Sequence, residues 1–248
     1  MEENIRENKM GTMPIGKLLA NMAGPVMISM LFQALYNIVD SVFVAKLSQD
    51  AMNAVSLAFP LQMLCIAFSV GTGVGINALL ARSLGEKNQV AVNRAAGTGL
   101  FLVLCTAAVF MLLGFTLAEP FFRLQTANEQ IIAYGRDYVM ICIGGSLGIF
   151  VQVYGERLLQ ATGRTNLSMI AQIAGAVCNI VLDPILIFGL LGFPRLEVAG
   201  AAIATIVGQF MGAILGLVLN HTKNPEVQLR AASIRPHGAT IRDIYAVG

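Results

Sequence analysis

The sequence has too little charge for a soluble protein. Only 12% of its 248 residues are charged and 56% are hydrophobic, and the mean hydropathy is +0.72. A soluble domain carries about 25% charged residues. The few charges are also clustered, since residues 51–81, 95–118 and 198–220 contain none. Each of these stretches reaches the roughly 20 apolar residues that cross a bilayer, so the composition excludes a soluble globular domain and predicts a membrane protein.

Cysteine and histidine are scarce, and their spacing does not form a metal-binding pattern. The four cysteines lie in four different apolar stretches without a Cys-x-x-Cys pair, and both histidines lie outside those stretches. Isolated cysteines in apolar runs usually act as small buried hydrophobic residues. We therefore expect neither disulfides nor a cofactor. The net charge of +2 by itself indicates no nucleic-acid partner.

The length and continuity of the apolar runs predict helices. A membrane-spanning strand would be about ten residues of alternating polarity, whereas these runs are longer and continuously apolar. We therefore expect an all-α membrane protein built as a bundle of six transmembrane helices. The predicted spans are Leu18–Ala45, Ala51–Ala81, Ala95–Ala118, Ala133–Tyr154, Leu167–Gly189 and Val198–Asn220.

Lysine and arginine are distributed unevenly between the two ends of the predicted bundle. Twelve of the 16 fall on the side of the amino terminus, and the other four fall on the opposite side. Positively charged residues accumulate in cytoplasmic loops. This asymmetry predicts a multi-pass protein of the cell's inner (plasma) membrane with its amino terminus in the cytoplasm.

The two ends of the chain differ from the bundle. Residues 1–16 are polar and no cleavage site follows them, which predicts a retained cytoplasmic segment. Residues 17–222 form the six-helix lobe. Residues 223–248 begin as a polar linker and turn apolar from Ile241, as at the start of another membrane helix. We therefore interpret the chain as one half of a longer protein that contains a second six-helix lobe.

Two carboxylates lie inside predicted spans, Asp40 in the first and Asp183 in the fifth. An aspartate at the centre of a membrane helix costs about 2.5–3.5 kcal/mol on the insertion scale, so it normally faces a protein interior or a wet cavity and marks a functional site. Asn179 lies on the same helical face as Asp183, one turn earlier. The alternative is that both aspartates are inert, hydrogen-bonded residues near the ends of their spans.

The first span carries further polar residues on the face of Asp40. Gln33, Tyr36 and Asn37 lie within two helical turns of that aspartate. A polar stripe along a membrane helix is typical of a residue row that faces other helices or a cavity rather than lipid. We therefore predict that these three residues, with Tyr138 of the fourth span, line a substrate cavity.

Prolines interrupt both spans that carry the carboxylates. Pro25 precedes Asp40 by about four turns, and Pro184 directly follows Asp183. Proline removes one backbone donor and bends the helix, which frees a carbonyl group. Carbonyl, amide and carboxylate oxygens together suit a proton or a hard cation. The alternative is an ordinary kink of the kind that membrane helices tolerate.

A glycine-rich segment in the second span looks like a phosphate-binding loop at first sight. The segment Gly71-Thr-Gly-Val-Gly75 lies inside a long apolar run and no strand precedes it. A nucleotide-binding loop requires that strand. The glycines therefore predict close packing against another helix.

Several segments, taken together and in order, resemble the multidrug and toxic compound extrusion (MATE) family. Ala23-Gly-Pro and Leu35-Tyr-Asn-Ile-Val-Asp-Ser-Val-Phe-Val are similar to its first helix, and Leu159-Gln-Ala-Thr-Gly-Arg-Thr to its loop between helices 4 and 5. Asn179-Ile-Val-Leu-Asp-Pro is similar to its helix 5, and Val198-Ala-Gly-Ala-Ala-Ile-Ala-Thr to its helix 6. The resemblance runs from about Met13 onward and implies the amino-terminal lobe of a twelve-helix, two-lobe transporter.

The resemblance implies export of drugs driven by a cation. In one branch of the family, the coupling site combines an aspartate on helix 1, an asparagine and an aspartate on helix 5, and a threonine on helix 6. These correspond to Asp40, Asn179, Asp183 and, as the nearest threonine, Thr205. The implied coupling ion is H⁺ or Na⁺, with Na⁺ held by the first three residues. The implied partners are small organic, often cationic, molecules, the lipid bilayer and a second lobe of the same polypeptide, but no nucleic acid.

Two other functions share some of these features. A lipid-linked precursor or polysaccharide exporter has a related architecture, but such proteins generally carry cationic residues in the cavity, and no predicted span has a central lysine or arginine. An intramembrane aspartyl protease also needs aspartates on two helices. Here neither aspartate follows a Gly-x-Gly run, and the nearby asparagines favour ion coordination. The sequence therefore favours an antiporter that is not an enzyme.

Overall fold

The structure is a computed structural model that describes residues 13–228 and 234–248. Within these ranges the secondary structure is helical and contains no strand, and residues 1–12 of the predicted amino-terminal segment lie outside them. The helices are α1 (Ile15–Ala45), α2 (Gln49–Gly85), α3 (Gln89–Gln125), α4 (Glu129–Cys142), α5 (Leu147–Ala161), α6 (Thr165–Phe188), α7 (Glu197–Lys223) and α8 (Gly238–Tyr245). A short 3₁₀ turn, Leu190–Gly192, separates α6 from α7.

The helices confirm the predicted all-α membrane lobe. Five of the described helices are long and apolar enough to cross a bilayer, and α4 with α5 makes a sixth span if the bent pair is counted as one. Large aliphatic side chains such as Leu31, Val109 and Ile214 are more than half exposed on the outside of the bundle. An outer surface of this kind requires lipid rather than water around it.

The fourth span is not the continuous helix that we predicted over Ala133–Tyr154. It breaks between Cys142 and Leu147 with a bend of 42°, and its second half continues to Ala161. Gly144 and Gly145 lie at the break, where the helix changes to turns. Glycine is the least favourable residue in a helix interior after proline, because it has the most backbone freedom to lose.

The long helices α2 and α3 extend beyond the predicted spans at both ends. Each has 37 residues and starts at a polar cap: the Ser48 side chain accepts a hydrogen bond from the amide of Ala51 at 3.0 Å, and Asn88 from that of Ala91 at 3.0 Å. Caps of this kind satisfy amide groups that the first helical turn leaves unpaired. The helices therefore begin at polar residues that a search for apolar runs excludes.

The short helix α8 packs against the glycine-rich segment of α2. Ile244 is fully buried there, and the hydroxyls of Tyr245 and Thr72 lie 3.5 Å apart. A β-carbon on Gly75 would overlap the Ile244 carbonyl group, so only glycine permits this approach. The predicted packing role of this segment is therefore confirmed, and its partner is the helix at the end of the linker.

Candidate functional site

A cavity of about 240 Å³ lies inside the lobe and is lined by α1, α2, α5, α6 and α7. Polar side chains, five of them glutamines, form much of its wall, although the helices around it cross an apolar layer. Polar groups in a membrane interior are costly and usually mark a pathway or a binding site. The polar lining residues are Gln33, Tyr36, Gln152, Glu156, Arg157, Gln160, Gln172, Asn179, Thr205 and Gln209.

Asn179, Asp183 and Thr205 form one hydrogen-bonded cluster between α6 and α7. In the amide orientation that satisfies both of its ends, the Asn179 nitrogen donates to Oδ2 of Asp183 at 3.2 Å, and the Asn179 oxygen accepts from Oγ1 of Thr205 at 3.3 Å. Asn179 and Asp183 are 3% and 0% exposed. The structure thus brings together three of the four residues that the family resemblance assigned to cation coupling.

Asp40 approaches this cluster from α1. Its side chain is buried, and its Oδ1 atom has no hydrogen-bond partner in the described part of the chain. Asp40 and Asp183 interact electrostatically, as do Asp40 and Tyr36. No lysine or arginine among the described residues forms an ion pair with either carboxylate.

Two buried carboxylates without a cationic partner need a proton or a cation to offset their charge. The available donor atoms are carboxylate, amide and hydroxyl oxygens, which suit a proton or a hard ion such as Na⁺. Groups of three or more histidine, cysteine or acidic residues, as a transition-metal site would require, do not occur in the described ranges. The chemistry of these groups is therefore compatible with a monovalent cation.

Of the four residues that we assigned to the cavity wall, two line the cavity and two do not. Gln33 and Tyr36 line the cavity, and Oε1 of Gln33 accepts a hydrogen bond from Gln172 at 3.0 Å. Asn37 is exposed and lies outside the lining, because one residue further along a helix turns the side chain by about 100°. Tyr138 is buried on α4 against Gln62, with 3.2 Å between the Tyr138 hydroxyl and the Gln62 amide nitrogen, and does not reach the cavity.

Both prolines lie inside helices that continue past them. α1 runs through Pro25, whose carbonyl group accepts a hydrogen bond from the Ser29 hydroxyl at 3.0 Å. α6 runs through Pro184 to Phe188. A kink at either proline therefore remains a prediction.

Glu156 and Arg157 are cavity residues that the sequence analysis missed. The predicted fourth span ended at Tyr154, so both were assigned to a loop, whereas they lie on α5 and line the cavity. A periodic signal was present, since Gln152, Glu156 and Gln160 recur at intervals of four and share one helical face. The helix break hid this signal because α5 begins beyond the centre of the apolar run.

The family is identified by comparison with known proteins. A family model, MatE, matches residues 25–185. The chain belongs to the MATE family. Two relatives are each 32% identical to it: a protein named FAD transporter from Shewanella oneidensis, over 84% of this chain and 47% of the relative, and a probable multidrug resistance protein NorM from Thermotoga maritima, over 94% and 50%.

Solved MATE structures have the same fold as this lobe. One is an outward-facing conformation of a multidrug resistance MATE family transporter, with a TM-score of 0.85 and 29% identity over 92% of this chain and 50% of that one. A second solved structure with this fold is a MOP superfamily transporter from Pyrococcus furiosus, described as having a binding pocket of reverse polarity, with a TM-score of 0.86 and 29% identity over 93% of this chain and 50% of that one. The chain thus spans about half the length of the proteins named here that it matches.

Proposed function

We propose that this chain forms the amino-terminal lobe of a cation-coupled antiporter of the inner membrane that exports organic, often cationic, drugs and toxic compounds. The observation that carries the proposal is the pair of buried carboxylates, Asp40 and Asp183, beside a polar cavity and without a cationic partner in the described residues. MATE proteins form a transporter family, and we assign no catalytic reaction to these aspartates.

The proposed mechanism couples the charge of the two aspartates to the shape of the cavity. Binding of H⁺ or Na⁺ neutralises charge inside the lobe, and Asn179 and Thr205 hold the oxygen atoms of the site in place. Export requires that cation occupancy and cargo affinity oppose each other in the inward-open and outward-open states. Rocking of this lobe against a second lobe would supply those two states.

The names of the relatives support export of organic molecules but not one charge class of cargo. One relative is named a probable multidrug resistance protein, NorM, and another is named for transport of FAD, which is an anionic dinucleotide. Family membership is therefore compatible with cationic, zwitterionic or anionic cargo. The class of cargo therefore depends on the residues that line the cavity.

The first test removes the titratable group and keeps its size. Asp183→Asn in the complete natural protein should abolish ion-driven export, because a neutral amide cannot bind and release a proton and no longer offers a negative charge to Na⁺. Asp40→Asn should have the same or nearly the same effect. The measurement is dye transport in inverted vesicles under an imposed proton gradient and, separately, under an imposed sodium gradient, which also identifies the ion.

The matched control is Glu119→Gln. The Glu119 side chain is 44% exposed and forms an ion pair with Arg123 at 2.9 Å near the end of α3. Ion pairs open to solvent contribute ~0–1 kcal/mol. This variant should transport at the wild-type rate. If Asp183→Asn also does so, with undiminished dependence on the gradient, then the coupling site lies outside this lobe and the proposal is wrong.

A further inference from the structure

A second cavity lies beside the polar cavity, toward the face of the lobe where α5 ends and α6 begins, which is the predicted cytoplasmic face. Its volume is about 160 Å³, and α1, α2, α5 and the first residue of α6, Thr165, form its walls. Three described residues line both cavities: Val26 of α1, and Arg157 and Gln160 of α5. These three side chains therefore form the partition between the two spaces.

A third cavity continues from the second one to the surface of the lobe. Its volume is about 440 Å³, and Met22 and Thr165 line both of these spaces. Its lining also includes Asn21 of α1 and Asn166 of α6, which are exposed. At the other end of the row, the polar cavity is lined by Asn179 of the proposed cation-coupling cluster. The three cavities thus lead from that cluster to the predicted cytoplasmic face, with the partition between the first and the second.

Hydrogen bonds hold the partition in place. One Nη atom of Arg157 donates to Oε1 of Gln160 at 2.8 Å, and Gln160 donates to the Ser168 hydroxyl of α6 at 3.0 Å. On the other side, the Asn77 side chain of α2 donates to the backbone carbonyl of Arg157 at 3.1 Å. The two helices approach closely here, since a β-carbon on Gly73 would lie 3.0 Å from Cγ of Arg157. The partition therefore belongs to a hydrogen-bonded layer that extends from α2 across α5 to α6.

The partition carries a positive charge, whereas the wall of the polar cavity carries a negative one. Arg157 forms no ion pair with the described residues, and its Nε atom is buried without a hydrogen-bond partner among them. Glu156 accepts a hydrogen bond from Gln152 at 3.0 Å and lines the polar cavity but not the second one. An arginine in a narrow passage excludes protons and other cations. Arg157 therefore obstructs a cation both by its volume and by its charge.

We propose that the row of cavities is the path by which the coupling cation leaves toward the cytoplasm, and that Arg157 is the gate of this path. The inference rests on the proposed antiport function, because it assigns a route to the cation of that function. The second cavity has polar walls and enough volume for several water molecules, so it can hold a hydrated ion or a proton-conducting water chain.

The gate is closed in this structure. Opening it requires the Arg157 side chain to leave Gln160, which breaks the hydrogen bond between them. The gate must stay closed while the transporter is open to the outside, because its loss would leave a continuous path for cations across the membrane. A defective gate should therefore show itself as a cation leak that needs no cargo.

A leak assay without cargo tests this gate. The complete natural protein is reconstituted into liposomes that contain a pH-sensitive or a sodium-sensitive dye, and entry of each ion is followed after its outside concentration is raised. Arg157→Gln should increase the leak of the coupling cation about tenfold or more, because it removes the repelling charge. Arg157→Lys keeps that charge and should leak less than Arg157→Gln. Gln160→Ala releases the guanidinium group and should also increase the leak.

Two controls distinguish a gate from a damaged protein. Arg94→Gln changes an exposed arginine outside the lining of all three cavities and should leak as little as the wild type. The double variant Arg157→Gln/Asp183→Asn should lose the additional leak, because the cation has to pass through the coupling site. A nonspecific leak through a misfolded protein would remain in the double variant. Each variant is also compared with the wild type by its size-exclusion profile.

Two results would overturn the proposal: a wild-type leak rate in Arg157→Gln, or an increased leak that persists in the double variant. If Arg157→Gln does not fold, Gln160→Ala decides the question, and a wild-type leak rate in that variant would overturn the proposal equally. These outcomes differ from a failure of the proposed function. If only the gate is wrong, Asp183→Asn still abolishes ion-driven export, whereas export persists in Asp183→Asn if the coupling site itself is wrong.

Discussion

The packing of α8 against α2 predicts a large effect from the smallest substitution at Gly75. We expect Gly75→Ala to displace α8, because an alanine β-carbon would overlap the Ile244 carbonyl oxygen and lie 2.8 Å from its carbonyl carbon. The obstructing atoms belong to the backbone, so a change of rotamer cannot remove the clash. Gly85→Ala on the same helix is the matched control, since its β-carbon has no neighbour within 4 Å.

The magnitude follows from the contact at residue 75. Inserting an extra group into a packed interface costs about 1–3 kcal/mol. The gain of about 0.5–1 kcal/mol from replacing glycine by alanine within a helix applies equally whether α8 is docked or not, so it cancels in the docking equilibrium. The undocked fraction of α8 should therefore rise about fivefold to more than a hundredfold.

Hydrogen–deuterium exchange measures this fraction directly. α8 has only eight residues, and a helix of that length is unstable once it has left its packing partner. Its amides, such as that of Ala246, which bonds to the Arg242 carbonyl at 2.9 Å, should exchange faster in Gly75→Ala by the same factor. They should exchange at the wild-type rate in Gly85→Ala. Equal rates in both variants would refute the packing argument.

Two further predictions concern the orientation of the lobe in the membrane and its activity without a second lobe. Asn88 and Gln125 lie at opposite ends of α3. A single cysteine introduced into a cysteine-free background should therefore be labelled from outside the cell at Gln125 and not at Asn88, and the reverse pattern would show that the predicted orientation is wrong. The 248-residue chain expressed alone should not confer drug resistance, because one lobe provides one wall of the transport pathway, and full resistance in a susceptibility assay would show that the half-transporter interpretation is wrong.

The number and type of the membrane helices could be predicted for two reasons. Charged side chains are costly in lipid, so each span is a long apolar run. Every backbone polar group of a span must also be hydrogen-bonded, which favours a helix. Hydropathy did not predict the features that depend on one or two residues, namely a helix break and two helix starts. Gly144 and Gly145 are as compatible with an apolar run as alanine is, so the break in the fourth span leaves no hydropathy signal. The starts of α2 and α3 depend on Ser48 and Asn88, which are polar caps outside the apolar runs.

The contacts of the candidate site also differ in whether the sequence predicts them. The contact between Asn179 and Asp183 follows from their spacing on one helix and is confirmed. The contact of Asn179 with Thr205 joins two helices, and no spacing within either one predicts it; only the family resemblance pointed to that residue. Asn37 lies on the same polar stripe of α1 but outside the cavity lining. The stripe alone does not predict this, because the packing of α1 against its neighbours determines which of its residues reach the cavity.

The rotation of α5 about its axis explains why its charges face inward. Tyr154 is fully buried on the opposite side, where its hydroxyl donates to the Ala96 carbonyl of α3 at 2.8 Å. Glu156 follows two residues later, about 200° around the helix. Anchoring Tyr154 against α3 therefore turns Glu156 away from α3 and toward the cavity. The bend at Gly144 and Gly145 lets α5 take this rotation independently of α4, so the break in the fourth span and the charged wall of the cavity are consequences of the same local sequence.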